Sequence, residues 1–321
     1  MSLPSVKGLS RLGPRGTLGL ALLEVAHAND RVVAMTADLA ITAGMERFRT
    51  TYPDRFINVG IAEQNLVGVA AGLADDNWIP FAVTFANFAA LRACEFVRHH
   101  MGYMEQNIKL VGIGAGFAMG QFGNTHYSIE DISALRAIPN LTIVSPADCG
   151  ELVQVIETCA GHVGPVYIRI NGAPSMPIVD QGDTVFKIGD ARVLSEESDV
   201  VFIAIGSMVA RAKAAAELLL DNHGIRAGII NMHTVKPLNA KAVLDAAQRS
   251  ELIITVEEHS IIGGLGSAVA EILAESGATC RQLRLGVEDR FPSVGSYDYV
   301  LAQVGLDSTS IAEKALHFLA L

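Results

Sequence analysis

Ile79-Pro-Phe-Ala-Val-Thr84, followed by Asn87–Met104 and then by Ile108-Lys-Leu-Val-Gly-Ile113, decides the architecture. Two short β-branched runs flank a segment of helical length, and two parallel strands need a crossover of that size. Working outward, Arg31–Thr36, Leu141–Val144 and Val166–Ile170 repeat the strand pattern, while Ala62–Ala74 and Asp148–Ala160 are helix-compatible. The alternation predicts an α/β fold, doubly wound, with a mainly parallel sheet covered on both faces. Ser145-Pro-Ala-Asp148 supplies helix-start chemistry, with Ser145 as the cap and Pro146 in the first turn.

Around Asn171–Thr184 the pattern breaks into Gly, Pro, Asp and Ser, as expected of an interdomain linker. The boundary is placed near residue 180, giving domains 1–180 and 181–321. Beyond it, strands Val200–Ile205, Arg226–Asn231 and Leu252–Val256 alternate with helices Met208–Asn222, Asn239–Arg249 and Gly266–Ser276. A second, smaller doubly wound α/β domain follows, with no short-period repeat.

The chain has 321 residues, 50% hydrophobic and 18% charged, enough for two domains with sizeable cores. A net charge of −10 and no Lys/Arg run argue against a nucleic-acid surface. An anionic substrate would have to meet isolated arginines. No apolar run reaches membrane-span length and the first residues lack a signal-peptide layout, so a cytoplasmic location is expected. Cys94, Cys149, Cys159 and Cys280 stand singly and are expected to be reduced and buried.

In Asn58-Val-Gly-Ile-Ala-Glu63-Gln-Asn65, one carboxylate follows a strand-like stretch at the start of an Ala/Gly-rich helix, where ligands commonly sit in α/β sheets. A first-turn helix charge is the simpler account of Glu63 alone. Phe85 and Phe88, three residues apart at the next strand end, can face one pocket if the backbone has turned helical, or can be plain core. Ile262-Gly-Gly-Leu-Gly-Ser267 resembles a phosphate loop but lacks the full dinucleotide fingerprint, and His99-His100 diverge on a helix without further ligands.

Thr-Ala-Asp38-Leu, Gly60-Ile-Ala-Glu63-Gln, Thr84-Phe85-Ala-Asn-Phe88, Thr125-His126, Leu135-Arg-Ala-Ile-Pro139-Asn and Ser145-Pro-Ala-Asp148 occur in order and at compatible spacings. This set resembles the transketolase family, and the likeness runs from about Arg15 to the C-terminal helix. The resemblance implies a thiamine diphosphate pyrimidine-binding domain followed by a transketolase C-terminal domain. In that family the glutamate matching Glu63 hydrogen-bonds N1′ of the aminopyrimidine, activating the thiazolium carbon that attacks a ketose carbonyl. The role suits a carboxyl group that keeps or shares a proton in a poorly solvated pocket.

The same resemblance implies that Phe85 and Phe88 pack on the aminopyrimidine, with Leu91 where the family often has a third aromatic, and that Asp38 lies near the cofactor. It implies that His126 stands at the substrate mouth as a hydrogen-bonding or proton-shuttling imidazole. Arg15 and Arg169 would clamp a sugar phosphate through guanidinium pairs, and Thr42 would add a hydroxyl. Two departures matter. Gly112-Ile-Gly-Ala-Gly-Phe and Gln121-Phe122-Gly123-Asn124 stand where the family carries another histidine and a substrate-reading aspartate. Losing an acceptor at Phe122 leaves open whether the donor is a standard pentose phosphate or a branched pentulose phosphate.

The family holds the cofactor's diphosphate through Mg²⁺ on a Gly-Asp-Gly motif, and that motif does not occur in this sequence. The resemblance therefore implies a split transketolase, with a partner N-terminal subunit supplying the diphosphate and Mg²⁺ site and two copies of each chain forming a heterotetramer. Three other readings stay open: the β subunit of a 2-oxo acid dehydrogenase decarboxylase component, a non-catalytic regulatory partner, and a fragment of 1-deoxyxylulose-phosphate synthase. Thr125-His126 and Thr84-Phe-Ala-Asn-Phe88 favour transketolase over the dehydrogenase reading.

Overall fold

The computed structural model describes residues 3–171, 176–180 and 185–320. Residues 172–175 and 181–184 of the expected linker lie outside the described residues. In chain order the strands are β1 (Val32–Thr36), β2 (Phe56–Asn58), β3 (Ile79–Phe85), β4 (Lys109–Ala115), β5 (Thr142–Val144) and β6 (Val166–Asn171). Then come β7 (Arg192–Ser195), β8 (Val200–Ala204), β9 (Ala227–Asn231), β10 (Thr234–Lys236), β11 (Leu252–Ser260) and β12 (Arg281–Val287).

The first sheet has the order β10-β5-β6-β4-β3-β1-β2 and the second β12-β11-β8-β9-β7. Pairings are parallel except β10 on β5 and β7 on β9. These strands read as runs of Val, Ile, Ala and Phe because helices cover both faces of the sheets. Val32–Thr36, Lys109–Ala115 and Val166–Asn171 are buried throughout. The doubly wound, mainly parallel class is as the sequence predicts.

Three local expectations need correction. The segment Asn87–Met104 is not one α-helix: wide π turns over Phe88–Arg92 and Val97–Tyr103 flank a short α turn at Cys94–Phe96. The cap after β5 is Asp148, whose Oδ1 accepts from the Glu151 N–H at 2.8 Å, while the buried Ser145 hydroxyl has no hydrogen-bond partner among the described residues. A carboxylate is the stronger acceptor for helix-end N–H groups. Cys149 and Cys159 are buried, their thiols pushed up to about 11 and about 12 by burial, but Cys94 and Cys280 are only half-buried.

β11 runs four residues beyond its predicted end, through Glu257-Glu258-His259-Ser260, with the first three of these fully buried. Buried polar groups are costly unless partnered, and each of these three is. Glu258 accepts from the Phe117 N–H at 2.5 Å, Ser207 Oγ at 2.7 Å, Tyr297 OH at 2.8 Å and Asn171 Nδ2 at 3.1 Å. Phe117 and Asn171 come from the first sheet's side of the molecule, so one carboxylate ties the two sheets together. Gly116, at φ +64, lets the backbone pass against that carboxylate, where a Cβ would collide. The apolar packing is shared too: Leu135, Ile143 and Tyr167 belong to one cluster with Ile203, Met232 and Leu265.

Glu257 accepts from the Leu265 and Gly266 N–H groups at 2.7 and 2.8 Å. That fills the helix N-terminus after Ile262-Gly-Gly-Leu-Gly-Ser267 from within, and no phosphate could take those donors without expelling Glu257. His259 donates from Nδ1 to the Ser260 carbonyl at 2.7 Å and accepts at Nε2 from the Ser133 N–H, the pattern of a neutral ring.

Burial depresses His259 to about 4 from its usual 6.5. The unfolded ring takes a proton near 6.5 and the folded ring only near 4. His259 therefore stabilises the fold fully above 6.5, and that contribution is lost as pH falls towards 4. Compared with wild type, His259→Gln should show a shallower loss of stability, by about 2 kcal/mol, between pH about 7 and about 5 in urea titrations. Parallel pH profiles would contradict it.

Candidate active site

Three loops meet beyond the carboxyl ends of β1, β2 and β3, where the chain leaves β1 first to one side and then to the other, the usual ligand position in such sheets. Asp38 follows β1 at φ +61. It accepts from Asn58 Nδ2 at 3.0 Å, and its own N–H donates to Asn58 Oδ1 at 3.0 Å. The same Asn58 oxygen accepts from the Gly60 N–H at 3.0 Å. This exchange fixes the turn that delivers Glu63 to the first turn of the helix Glu63–Asp75.

Glu63 is 2% exposed, and its Oε2 accepts from Arg92 Nη1 at 2.8 Å. The Arg92 guanidinium lies 4.0 Å from the centre of the Phe88 ring. Phe85 closes β3 and meets Phe88 edge-on at 6.0 Å, and both rings meet His126 edge-on at 5.7 and 5.5 Å. The turn into the π-helical backbone after β3 is what brings Phe85 and Phe88 to one side. Asn87 Nδ2 donates to the Thr125 carbonyl at 2.9 Å and holds the His126 loop against them. His126 Nδ1 is 2.9 Å from Thr125 Oγ1. Leu91 lies half exposed on the next turn.

Gly13 at φ +80 breaks the helix Val6–Ala28, and Pro14 opens its second segment, placing Arg15 in a first turn. Arg15 lines an open cavity of roughly 500 Å³ with Leu12, Met119, Gln121, Phe122 and Tyr297. Burial lowers the Arg15 pKa, and its Nη2 approaches Met119 Sδ at 2.8 Å, with no carboxylate partner among the described residues. Phe122 belongs to both places, since its ring also lies 5.0 Å from His126. The turn bearing the half-buried Thr42 meets the Arg15 carbonyl at Gly44.

Arg169, expected beside Arg15 on a substrate phosphate, is elsewhere. It is fully buried, donating from Nε to Asp131 Oδ2 at 2.7 Å and from Nη2 to the Ser128 and Glu258 carbonyls at 3.2 and 2.9 Å. Tyr167 OH donates to the same Asp131 oxygen at 2.8 Å. Burial is the largest influence on Asp131 and opposes its charge, yet Arg169, His259 and the hydrogen bonds from Arg169 and Tyr167 together outweigh it and hold the carboxyl below its usual range. The second domain covers this strand end, so the guanidinium faces the seam between the sheets and not the cavity.

The arrangement fits the aminopyrimidine half of thiamine diphosphate. It offers a buried carboxyl group, two aromatic rings and an open approach at Gly60, where a Cβ would touch nothing within 4 Å. Among the described residues no group of three His, Cys, Asp or Glu side chains is placed to hold a metal ion. Sequence reasoning missed Arg92 and Tyr297. The four-residue spacing of Phe88 and Arg92 was the available signal for the first.

The model of the transketolase pyrimidine-binding domain matches residues 13–172 and that of the transketolase C-terminal domain residues 189–311. With both domains in this order, the chain belongs to the transketolase family, which depends on thiamine diphosphate. Over nearly its whole length it is similar to proteins described as a transketolase C-terminal section or as subunits of split transketolases. A 6-deoxy-6-sulfo-D-fructose transketolase subunit from Clostridium sp. (strain MSTE9) is 42% identical over 92% of this chain and 90% of its own. An apulose-4-phosphate transketolase subunit from Phocaeicola vulgatus is 35% identical over 92% and 94%. A solved split-gene transketolase, described as an inactive β4 tetramer, superposes with a TM-score of 0.88 at 38% identity, covering 97% of this chain and 99% of that one.

Replacing Arg169 strands Asp131 as a buried, uncompensated charge. Arg169→Met should lower the unfolding free energy by about 3–5 kcal/mol, read as a lower urea midpoint at unchanged slope, and adding Asp131→Leu should recover most of it. A midpoint that stays in place would contradict the buried pairing of Arg169 with Asp131.

Proposed function

We propose that this chain is the pyrimidine-side half of a transketolase that moves a two-carbon ketol unit from a ketose to an aldose, each bearing a terminal anion. The observation that carries this reading is the buried Glu63 carboxyl group, joined through Arg92 to the Phe88 ring, which meets Phe85 and His126 one ring away from the Arg15 cavity. Thiamine diphosphate, when bound, supplies the carbon centre and electron sink for carbon–carbon cleavage. Glu63 holds a proton against N1′, Phe85, Phe88 and Leu91 pack on the ring, and Asp38 fixes the loop beside it. His126 exchanges a proton or hydrogen bond with a substrate oxygen, and Arg15 and Thr42 receive the anion.

A partner subunit carries the diphosphate and Mg²⁺, in a cytoplasmic heterotetramer with two copies of each chain. The relatives named as subunits support this. The division near residue 180 into a pyrimidine-binding domain, 1–180, and a C-terminal domain, 181–321, belongs to the same reading. It is supported by the two sheets, which divide between β6 and β7 except for β10. Phe122 on the path from His126 to Arg15 favours a sugar that does not present a hydroxyl there, such as a branched pentulose phosphate or a sulfonated deoxyketose.

The test is reconstitution with the subunit encoded beside it, in thiamine diphosphate and Mg²⁺, followed by a screen of ketose phosphates and sulfonates. Ketol transfer should require both chains, and Glu63→Gln should reduce kcat by about 10²–10⁴. Phe122→Asp should shift kcat/KM towards standard pentulose phosphates by about tenfold or more. Full activity of Glu63→Gln would remove the mechanism. Turnover of pyruvate or branched 2-oxo acids would favour the dehydrogenase reading, and inactivity on every ketose the regulatory one.

A further inference from the structure

Arg92 lies across the two groups that the proposed reading gives to the aminopyrimidine. Its Nη1 donates to Glu63 Oε2 at 2.8 Å, and its guanidinium carbon stands 4.0 Å over the Phe88 ring. The two contacts are of different kinds and come from one planar group. A guanidinium and a 4-aminopyrimidine share an N–C–N unit, and each can present an N–H edge to a carboxylate and a flat face to a phenyl ring. The Glu63 side chain is only 2% exposed, so its carboxyl group needs a partner, and Arg92 is that partner.

Arg92 is placed to leave. Its side chain is 45% exposed against 2% for Glu63, and it ends the wide turn Phe88–Arg92 next to the half-exposed Leu91. A change of its own rotamers would take the charge into water, while Glu63 stays on the helix Glu63–Asp75 and Phe88 stays packed against Phe85 and His126. We infer that Arg92 is an internal stand-in for the aminopyrimidine, which covers Glu63 and Phe88 in the unloaded subunit and must swing out for thiamine diphosphate to bind. Arg92 thereby sets how tightly and how fast the assembled enzyme loads its cofactor, and it keeps the buried carboxylate paired until then. This inference rests on the assignment of Glu63 and Phe88 to the cofactor ring.

The experiment is a titration of the reconstituted two-subunit complex with thiamine diphosphate at saturating Mg²⁺, followed by quenching of protein fluorescence. Wild type is compared with Arg92→Ala and Arg92→Met, the second keeping an apolar stem over Phe88 in case the first folds poorly. Removing the competitor should lower Kd by about three- to tenfold, mostly through faster association, the size of one partly exposed charge pair. Arg92→Lys, which keeps the charge without the planar N–C–N edge, should fall between. In the isolated chain, Arg92→Ala should lower Tm, and Glu63→Gln should remove most of that loss, because the pair then has no buried charge to satisfy.

Cofactor binding that Arg92→Ala and Arg92→Met leave unchanged or weaken would overturn the inference alone, since a side chain that stays to hold the ring loosens it when removed. Absence of cofactor binding to the wild-type complex would overturn the site assignment and this inference with it.

Discussion

Glu258 accepts hydrogen bonds from four groups, and those groups belong to both sides of the molecule. A carboxylate removed from water is tolerable only when its lone pairs are filled, so the two sheets must approach until Phe117, Asn171, Ser207 and Tyr297 all reach it. Burial raises the Glu258 pKa, and the Phe117 N–H is the largest of the contributions that oppose the rise. Beyond Phe117 the chain runs directly into Met119, Phe122 and His126. The loop that faces the candidate cofactor ring and the anion cavity is therefore anchored at its root by the C-terminal domain.

Arg169 and Asp131 extend the same seam. Their ion pair lies under the loop of Ser128, whose carbonyl accepts from Arg169, and the second carbonyl it reaches is that of Glu258. A charge pair so fully desolvated contributes little net stability but strongly disfavours any packing that would separate its members. It fixes the helix Asp131–Arg136 against β6, and the Arg169 bond to the Glu258 carbonyl ties that arrangement to the second sheet, while the apolar cluster shared by Leu135, Ile143, Ile203 and Met232 supplies the bulk of the attraction.

The first-sheet strands were legible because fully buried parallel strands read as short β-branched runs, and Glu63, Phe85, Phe88 and His126 were legible as an ordered set of motifs. The structure brings the Phe85, Phe88 and His126 rings into contact and joins Glu63 to Phe88 through Arg92. Arg169 was misread because its position at a strand end says nothing about which domain covers that end. β7, β10 and β12 escaped notice for lack of a clear pattern: Thr234–Lys236 has three residues, and Arg281–Val287 places polar residues among its apolar ones. Arg92 escaped because a helical arginine normally serves solvent, and only the tertiary approach of Glu63 gives it another task. The helix expected over Asn87–Met104 failed in detail because propensity does not report the widened turns that Phe88–Arg92 adopts.

β10 follows β9 after two residues, yet it leaves its own sheet and pairs with β5 of the other one. Lys236 at its end donates to the Arg136 and Ile138 carbonyls, closing the helix Asp131–Arg136 that carries Asp131. An open sheet is adhesive at its margins, where unpaired backbone groups invite another strand. The C-terminal domain thus acts as a selvedge, sealing one border of the sheet that bears the candidate site. The opposite border, β2, is the strand that leads into Glu63, so anything that grips the chain there lies one short turn from the carboxylate.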